Sequence, residues 1–337
     1  MRVAYVIPAW PPVPSQPFVV NEMVEVQDAG HELVVLPLYR DEGQTVRHGT
    51  YDRLHPVAIV LPELMSARIA AYALATLVRH PLRTLGVLLR AHVAAGTNPW
   101  AHARVLAVLP KALAAAWVLP RLGVDRIHAH FASNTAECAA VAGVIAAIPY
   151  SFTAHAYDIY LRTPRHRNDT LGWKVQAAAT VIGISEYGAR RLRALLPAPE
   201  QGKVHTVHVG IPMQLFQPAP PAADAGVIRL LCVARYCDKK GIDTLIDACA
   251  LLRDRHVGFG LRLFGDGPLR PGLAAQIERL GLGGMVALGG PITQEQVALE
   301  MRGCHAFVMP CREEPNGDMD GIPTVFMEAM ASGRPVI

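Results

Sequence analysis

The sequence has 337 residues, and its 32 Lys and Arg against 28 Asp and Glu give a formal net charge of +4 at pH 7. This length predicts about two domains of about 150 residues each. Hydrophobic residues make up 51% of the chain and charged residues 18%, which excludes a disordered protein. Gly and Pro follow no period, so collagen-like and low-complexity chains are excluded as well.

The cysteines and the N-terminal segment indicate in which cellular compartment the protein folds. The six cysteines form no CxxC pair and no zinc-finger spacing, and single cysteines in apolar surroundings are typical of a reducing compartment. Residues 1–12 carry one charged side chain and a short apolar run that proline interrupts, which is not typical of a signal peptide. We therefore expect a cytoplasmic protein.

Short β-branched runs alternate with helical patterns through the first two thirds of the chain. Strands are predicted at 2–7, 33–38, 57–61, 126–130, 150–154, 180–184 and 203–209. Helices are predicted at 18–29, as a long pair within 64–122, and at 134–146, 165–179 and 186–196. This alternation predicts parallel pairing in a doubly wound sheet, and hence a Rossmann-like first domain at residues 1–211.

The helical interval 64–124 lies between Glu63 and Asp125 and holds seven cations but no acidic residue, which leaves 25 basic and 28 acidic residues, a net −3, elsewhere. Arginines and leucines recur together there at helical spacing: Arg79, Arg83, Arg90, Leu82, Leu85, Leu88 and Leu89. Such a helix is typical of an anionic membrane surface, and equally of a core helix with a solvated face. The apolar runs are too short to span a bilayer, and few aromatic residues interleave with the cations, which disfavours nucleic acid.

The alternation restarts after residues 212–226, whose Pro and Ala content predicts a linker. Strands are predicted at 228–233, 259–264, 285–288, 305–309 and 335–337, and helices at 241–254, 270–280, 293–303 and 323–332. These elements predict a second Rossmann-like domain at 227–337, facing the first across a cleft with ligands beyond the carboxyl ends of the strands. Five strands are few for such a domain, so we expect its C-terminal part to be missing.

The sequence lacks the characteristic motifs of several large enzyme classes. No GxGxxG follows the first strand, and no Walker, GxSxG or HExxH motif occurs. One GxG, Gly265–Asp266–Gly267, follows a strand of the second domain, where its glycines allow backbone to approach a ligand or simply form a tight turn. The fingerprints therefore give no support to a dinucleotide-binding dehydrogenase, a P-loop enzyme or a zinc protease.

Two charged segments of the second domain suggest a ligand site. Arg235, Lys239 and Lys240 lie between a strand and a helix, where cations and free backbone N–H groups favour phosphate, although surface cations are common at such turns. Asp320 precedes a helix and is either a cap or a ligand group. Glu328 lies in an apolar stretch, and a buried carboxylate there needs partners such as ligand hydroxyls.

Taken together, these segments resemble a known family. The runs VARYCDKKGIDTLIDA (233–248), FGDGP (264–268) and DGIPTVFMEAMASGRPVI (320–337) resemble the donor-binding half of the retaining glycosyltransferases of family 4, which have the GT-B fold. That family carries two glutamates eight apart; here Asp320 replaces the first and Glu328 matches the second. CREEPNGDMDGIP (311–323) is most similar to the bacterial colanic-acid and exopolysaccharide type, and SQPFVVNEM (15–23) and SFTAHAYDIY (151–160) also fall at family-like positions.

The resemblance implies a hexosyltransferase that retains anomeric configuration and uses no metal and no cofactor. Its donor would be a UDP- or GDP-linked sugar, and its acceptor a lipid-linked or polysaccharide glycan in exopolysaccharide synthesis. Such an acceptor would be met at the inner face of the membrane, so the expected cytoplasmic enzyme could be peripheral there. The basic interval 64–124 could then contact anionic lipid, and nucleic acid is not an expected partner. Family members continue beyond the point that matches Ile337, so we expect a truncated C-terminus.

The resemblance also implies roles for individual residues. Arg235 and Lys240 would neutralise the leaving diphosphate in place of a metal, and Glu328 would bind the ribose. Asp320 and His155, the latter just before Asp158, would face the transferred sugar. The full implied set is catalytic His155, Asp320, Arg235 and Lys240; donor-binding Arg235, Lys240, Gly265, Asp266, Gly267, Asp320, Gly321, Ile322, Pro323 and Glu328; and acceptor-binding Ser15, Phe18 and Glu22.

Two possible metal motifs are disfavoured, and two other functions stay open. We expect strand alternation to separate His128 and His130, so that they do not share a metal ion. Asp318–Met319–Asp320 is similar to the DxD motif of metal-dependent transferases but lies in the wrong part of the chain. A nucleotide-sugar epimerase on the same fold would form product without an acceptor, and an inactive nucleotide-sugar-binding remnant would form none.

Overall fold

The structure, a computed structural model, describes residues 1–12, 16–41, 46–220 and 226–337. These residues form two compact units, each with its own sheet and hydrophobic core. The first unit comprises Met1–Gln44 and Asp52–Val209, and the second comprises Thr45–Tyr51 and Gly210–Ile337. A short segment from within the predicted first domain, 1–211, therefore folds with the second unit.

The described part of the first unit contains a seven-stranded parallel sheet in the order β3-β2-β1-β4-β5-β6-β7. Its strands are β1 (Arg2–Trp10), β2 (Glu32–Arg40), β3 (Ala58–Ile59), β4 (Arg126–His130), β5 (Tyr150–Ala154), β6 (Thr180–Gly183) and β7 (Val204–Thr206). The central strands are buried on both faces, which explains why they read as continuous apolar runs rather than as alternating ones.

Eight helices accompany these strands in the described residues. They are α1 (Pro17–Asp28), α2 (Ala67–Arg79), α3 (Pro81–Ala95), α4 (Pro99–Arg121), α5 (Asn134–Ala146), α6 (Ala156–Tyr160), α7 (Leu171–Ala177) and α8 (Glu186–Arg193). The fully described interval 64–124 thus holds three helices, and the predicted long pair is wrong. Pro81 cannot continue the hydrogen bonding of α2 and begins a new helix, and the Asn98 side chain caps α4 by accepting from the backbone N–H of Trp100.

The second unit contains a four-stranded parallel sheet, in the order β10-β9-β8-β11, among its described residues. Its elements are β8 (Ile228–Val233), α9 (Ile242–Asp254), β9 (Phe259–Phe264), α10 (Arg270–Arg279), β10 (Val286–Leu288), α11 (Gln294–Gly303), β11 (Ala306–Phe307) and α12 (Thr324–Ala331). The predicted last strand is a single parallel bridge between Val336 and Phe307. The two doubly wound parallel sheets confirm the predicted α/β fold class with two Rossmann-like sheets.

The described part of the predicted linker packs onto the second unit. Phe216 is buried in the second hydrophobic core, and the Arg334 guanidinium donates hydrogen bonds to the carbonyl oxygens of Ala219 and Pro220. Residues 221–225 of the predicted linker, 212–226, lie outside the described residues. Residues 212–220 therefore belong structurally to the second unit.

One helix of the described chain, α4, is long and apolar enough to cross a membrane by length and composition alone. Half of its most apolar window is buried within the protein. Lys111, near its middle, is fully buried and donates to the carbonyl oxygens of Leu38 and Glu63, which lowers the cost of burying its ammonium group. These contacts are typical of a core helix.

Candidate functional site

In the first unit, the predicted catalytic histidine lies at the carboxyl edge of the sheet. His155 directly follows β5 and His130 ends the neighbouring strand β4, so both side chains reach the edge where doubly wound sheets bind ligands. Nε2 of His155 lies 3.5 Å from Nδ1 of His130. The rings of Phe18 and Phe131 lie 5.1 and 4.5 Å from the His155 ring, so the imidazole is enclosed largely by other rings.

Asp158 fixes the backbone around His155. Its Oδ2 accepts from the backbone N–H groups of His155 at 3.0 Å and Ala132 at 2.8 Å. The Asn168 amide donates to the carbonyl oxygens of Ala132 and Asp158, and the fully buried Lys174 donates to Asn168 Oδ1 at 2.7 Å. The loops after β4 and β5 are therefore held to each other by one polar network.

Burial sets the protonation states in this network. Burial and the nearby His130 lower the pKa of His155 to about 3, so its imidazole is neutral at pH 7. Burial raises the pKa of Asp158 to about 6 despite the two backbone hydrogen bonds that it accepts. His155 is thus suited to hydrogen bonding with a neutral hydroxyl rather than to binding an anion.

The expectation that His128 and His130 are separated is wrong. Side chains along a strand alternate with a period of two residues, so these two share a face and Ala129 lies on the other. Oε1 of Glu22, on α1, lies 3.6 Å from Nε2 of His128 and 3.2 Å from Nε2 of His130. Burial would raise the pKa of Glu22, but the imidazoles of His130 and His128 lower it to about 2.

Two predicted acceptor residues, Phe18 and Glu22, lie on α1 and approach the histidine cluster. Glu22 also accepts a hydrogen bond from the Tyr5 hydroxyl on β1 at 3.2 Å. Its side chain keeps 39% of its surface exposed, so the cluster is open to solvent on this side. The third predicted residue, Ser15, lies outside the described residues.

In the second unit, the predicted phosphate and sugar residues form a paired charge cluster. Lys240 Nζ lies 2.7 Å from Asp320 Oδ2. Lys239, which the sequence placed among the cations of this turn but without a role of its own, is the more buried lysine. It lies 3.1 Å from Asp318 and 3.7 Å from Asp320. Burial would raise the pKa of Asp320, but Lys240 and Lys239 hold it below its usual value. Both carboxylates of the DxD-like triplet thus face ammonium groups.

Backbone geometry at Gly241 explains the shape of this cluster. Lys239 and Lys240 end a short 3₁₀ turn, and Gly241 follows with a left-handed φ of +61° against the carbonyl oxygen of Pro310. A Cβ at this position would clash with that oxygen. The backbone N–H of Arg312 donates to Lys239 O at 2.9 Å, so the segment after β11 is attached to the lysine turn.

Arg235 and the glycine loop lie at the carboxyl ends of β8 and β9. The Arg235 side chain is exposed just beyond β8. Gly265 packs so closely against the carbonyl oxygen of Ala234 that a Cβ has no room. Asp266 Oδ1 accepts from the backbone N–H of Gly267, and its carbonyl oxygen accepts from the N–H of Tyr236. The loop is therefore fixed against the backbone beside Arg235 by its own hydrogen bonds.

Glu328, on α12, is 6% exposed. Its Oε1 accepts from the Gln294 amide at 3.3 Å, and burial nevertheless raises its pKa to about 7. Gln294 itself donates its backbone N–H to Nδ1 of His48 at 3.1 Å, and Gly49 N–H donates to Glu295 Oε1. Segment 46–51 thus packs at the start of α11, beside Glu328. Gly321, Ile322 and Pro323 lead directly into α12.

Comparisons with known proteins identify a family that is similar to the second unit. The family model described as glycosyl transferases group 1 matches residues 228–337. That range includes Arg235, Lys240, Asp320 and Glu328. Residues 228–337 are therefore similar to a group 1 glycosyl transferase domain.

Relatives extend over nearly the whole chain. The colanic acid biosynthesis glycosyltransferase WcaL of Escherichia coli strain K12 is 27% identical over 97% of this chain and 79% of its own length. The amylovoran biosynthesis glycosyltransferase AmsK of Erwinia amylovora is also 27% identical, over 97% of this chain and 79% of its own length. The chain is therefore homologous to glycosyltransferases of colanic acid and amylovoran biosynthesis.

Solved structures share the fold. Anabaena Alr3699/HepE in complex with UDP-glucose superposes with a TM-score of 0.67 at 18% identity, covering all of this chain and 79% of that chain. Sucrose-phosphate synthase from Thermosynechococcus elongatus gives a TM-score of 0.65 at 17% identity, covering all of this chain and 80% of that chain. These likenesses confirm the predicted GT-B fold.

The range that the family model matches, 228–337, contains predicted site residues and also residues that the sequence analysis gave no role. Lys240 and Asp320 were selected, and the structure brings them together. Lys239, Asp318 and Gln294 were not in the predicted set of site residues. Lys239 contacts Asp320, Gln294 contacts Glu328, and Asp318 contacts Lys239. The signals in the sequence were the second lysine beside Lys240 and the triplet Asp318–Met319–Asp320, but the sequence does not reveal which lysine turns inward.

Proposed function

We propose that the protein is a retaining hexosyltransferase that moves a sugar from a UDP- or GDP-linked donor to a lipid-linked or polysaccharide acceptor in exopolysaccharide synthesis. The supporting observation is the cluster of Lys239, Lys240, Asp318 and Asp320 within a range similar to a group 1 glycosyl transferase domain. The relatives named for colanic acid and amylovoran synthesis favour a glycan product, and the UDP-glucose complex of HepE favours a nucleotide sugar.

The donor would bind to the second unit. Lys240 and the exposed Arg235 would neutralise the diphosphate as it leaves, with no divalent cation at this site. Asp320, released from Lys240, and the backbone of Gly321, Ile322 and Pro323 would bind hydroxyls of the sugar. Glu328 would accept hydrogen bonds from the ribose hydroxyls, which would supply the polar partners that a buried carboxylate requires.

The acceptor would bind to the first unit. Neutral His155 would hydrogen bond to the transferred sugar, and Phe18 and Glu22 would contact the acceptor. The acceptor hydroxyl would attack the sugar on the face from which the diphosphate departs, so the anomeric configuration is retained without a protein nucleophile. The leaving nucleoside diphosphate carries away the bonding electron pair, and the hydroxyl proton passes to a diphosphate oxygen.

A transfer assay with a panel of UDP- and GDP-sugars tests this proposal. We expect product only when a lipid-linked or polysaccharide acceptor is present, with the anomeric configuration of the donor retained by NMR and no requirement for Mg²⁺ or Mn²⁺. Conversion of the donor sugar without acceptor would instead identify an epimerase. Nucleotide-sugar binding without either reaction would identify a binding protein, and a strict need for Mg²⁺ would refute the role of Lys240 and Arg235.

The proposed enzyme would be cytoplasmic and would bind peripherally to the inner face of the membrane. A lipid-linked acceptor and the surface of α3 both support this location. Four apolar residues form a stripe along α3 with 62% to 82% of their surface exposed: Leu82, Leu85, Leu89 and Val93. Leu88, which the sequence spacing grouped with these leucines, instead packs against the core. Exposed Arg79, Arg83 and Arg90 flank the stripe, and the absence of acid from 64–124 complements an anionic bilayer.

Vesicle flotation tests this surface. The protein should float with vesicles that contain phosphatidylglycerol but not with pure phosphatidylcholine, and binding should fall as salt shortens the screening length from about 10 Å at 0.1 M to about 3 Å at 1 M. Leu85→Gln with Leu89→Gln should abolish flotation, whereas Leu299→Gln, an exposed leucine on α11, should not. Absence of flotation at low salt, or a dimer that the same leucine changes disrupt, would reject the lipid surface.

A further inference from the structure

Glu22, His128 and His130 gather three potential ligand atoms at the carboxyl edge of the first sheet. These atoms, one carboxylate oxygen and two imidazole nitrogens, all lie within 4.8 Å of one another. Glu22 Oε1 lies 3.2 Å from His130 Nε2 and 3.6 Å from His128 Nε2. Ligands about 2.0–2.1 Å from a tetrahedral Zn²⁺ lie about 3.3 Å from one another. The two distances from Glu22 Oε1 are therefore close to those between ligands of one ion, and the two imidazole nitrogens lie within 4.8 Å of each other.

The hydrogen bonds around His128 leave its Nε2 unprotonated, with the Thr153 hydroxyl 3.2 Å away and Glu22 Oε1 3.6 Å away. A bound ion would take the place of the Thr153 hydroxyl as the partner of this nitrogen. Nδ1 of His128 lies 2.8 Å from the Ser151 hydroxyl, which in turn donates to the carbonyl oxygen of Ile127 at 3.5 Å. Since the serine proton goes to that carbonyl, Ser151 accepts from Nδ1–H of His128. Nε2 is then unprotonated, and a hydrogen bond from the second nitrogen to a neighbouring group is the usual support for a metal-binding imidazole.

Nε2 of His130 lies 3.2 Å from Glu22 Oε1, but the geometry is not that of a well-aligned hydrogen bond. The His130 side chain is 1% exposed, and among the described residues no well-aligned hydrogen bond reaches its Nε2. Its Nδ1 faces Nε2 of His155, so Nε2 is the nitrogen that faces Glu22. A buried polar atom without a hydrogen bond is costly, and a bound cation would remove that cost.

We propose that Glu22, His128 and His130 form a binding site for one divalent transition-metal ion, with Zn²⁺ the ion that fits best. Two imidazoles and one carboxylate are a donor set typical of zinc sites that leave a fourth position open. The Glu22 side chain is 39% exposed, so an ion and a water molecule as its fourth ligand can reach the site from solvent. This site lies in the first unit, whereas the proposed donor residues Lys240 and Asp320 belong to the second.

Metal binding by the full-length, tag-free chain tests the inference directly. After dialysis against chelator, calorimetry with Zn²⁺ alone should give one site per chain, and Co²⁺ should give the visible absorption of a tetrahedral ion. Glu22→Gln should weaken Zn²⁺ binding more than about 100-fold, since loss of an outer-shell partner alone costs about 10- to 100-fold. Ser151→Ala should fall within that smaller range.

A matched control is available in the same unit. His92 and His102 form another close imidazole pair, with Nδ1 atoms 2.7 Å apart, so His102→Gln should leave the Zn²⁺ site intact. Tryptophan fluorescence will verify folding of each variant, because all four tryptophans lie in the first unit. Zn²⁺ should also raise the Tm of the wild type but not of Glu22→Gln. Wild-type affinity in Glu22→Gln, loss of the site in His102→Gln, or no binding by the wild type would overturn the inference.

Discussion

Replacing Lys240 by methionine should lower the rate of sugar transfer about 100- to 1,000-fold, the usual loss when one group that stabilises transition-state charge is removed. Negative charge develops on the diphosphate as the bond to the sugar breaks, and the Lys240 ammonium would lie beside it. In the structure this ammonium lies 2.7 Å from Asp320 Oδ2. Since Lys239 still lies 3.7 Å from Asp320, the variant should fold normally.

Steady-state kinetics with the donor identified by the transfer assay will measure the effect. We expect kcat to fall more than the affinity for donor, because the charge is greatest in the transition state. Lys240→Arg should retain a substantial part of the activity, and Arg279→Met, which removes an exposed cation from α10 of the same unit, should retain all of it. A Lys240→Met enzyme with wild-type kcat would show that another group neutralises the diphosphate.

Replacing Glu328 by glutamine should stabilise the second unit at pH 8 by about 3 kcal/mol while weakening its affinity for nucleotide. The folded pKa of about 7 exceeds the ordinary value of 4.5, so folding favours the protonated carboxyl. Its stabilising contribution is complete below about pH 4.5 and is lost as the pH rises through 7. A shift of roughly 2.5 pKa units corresponds to about 3 kcal/mol.

Hydrogen exchange of the amides of β8 and α9 is the appropriate measurement, because the tryptophans lie in the first unit and do not report on the second. The wild-type protection should decline between pH 4.5 and 7 after correction for intrinsic exchange, and that of Glu328→Gln should not. Glu278→Gln, an exposed change on α10, should behave as wild type. Equal pH dependence in Glu328→Gln and wild type would rule out a raised pKa for Glu328.

Glu328→Gln should weaken nucleotide binding even though it stabilises the second unit. Hydrogen bonds to charged groups contribute about 1.5–3 kcal/mol, so loss of the Glu328 carboxylate should weaken UDP or GDP binding about 10-fold or more. Wild-type affinity should rise as the pH increases through 7, because the ionised carboxylate is the better acceptor for ribose hydroxyls. Unchanged affinity by calorimetry in Glu328→Gln would reject the ribose role and leave the stability prediction intact.

Both lysines of the turn after β8 were visible in the sequence, but their roles were not. The pattern of a strand, cations, glycine and a helix predicted an anion site, and Lys240 was chosen by resemblance. The structure shows that Lys239 is the more buried of the two and joins Asp318 to Asp320. Adjacent residues in a 3₁₀ turn point in different directions, and only the segment 311–320 packed against the turn selects which one lies inside.

The histidines of β4 show which contacts the sequence could predict and which it could not. Their spacing was sufficient to place them on one face, and the expectation that they diverge misapplied the period of a strand. What the spacing did not contain was Glu22, which is over a hundred residues distant in sequence and reaches them from α1. The same holds for His48 and Gln294, whose contact assigns segment 46–51 to the second unit.

The sequence by itself determined the class of fold, the alternation of strands and helices, a mildly basic charge of +4 and its concentration in residues 64–124. Each of these follows from local periodicity or composition. Only the tertiary structure decided that Leu82, Leu85 and Leu89 are exposed beside the arginines, that Glu328 is buried against Gln294, and that Glu22 meets two histidines. Such contacts join residues far apart in the chain, and packing, rather than local pattern, selects them.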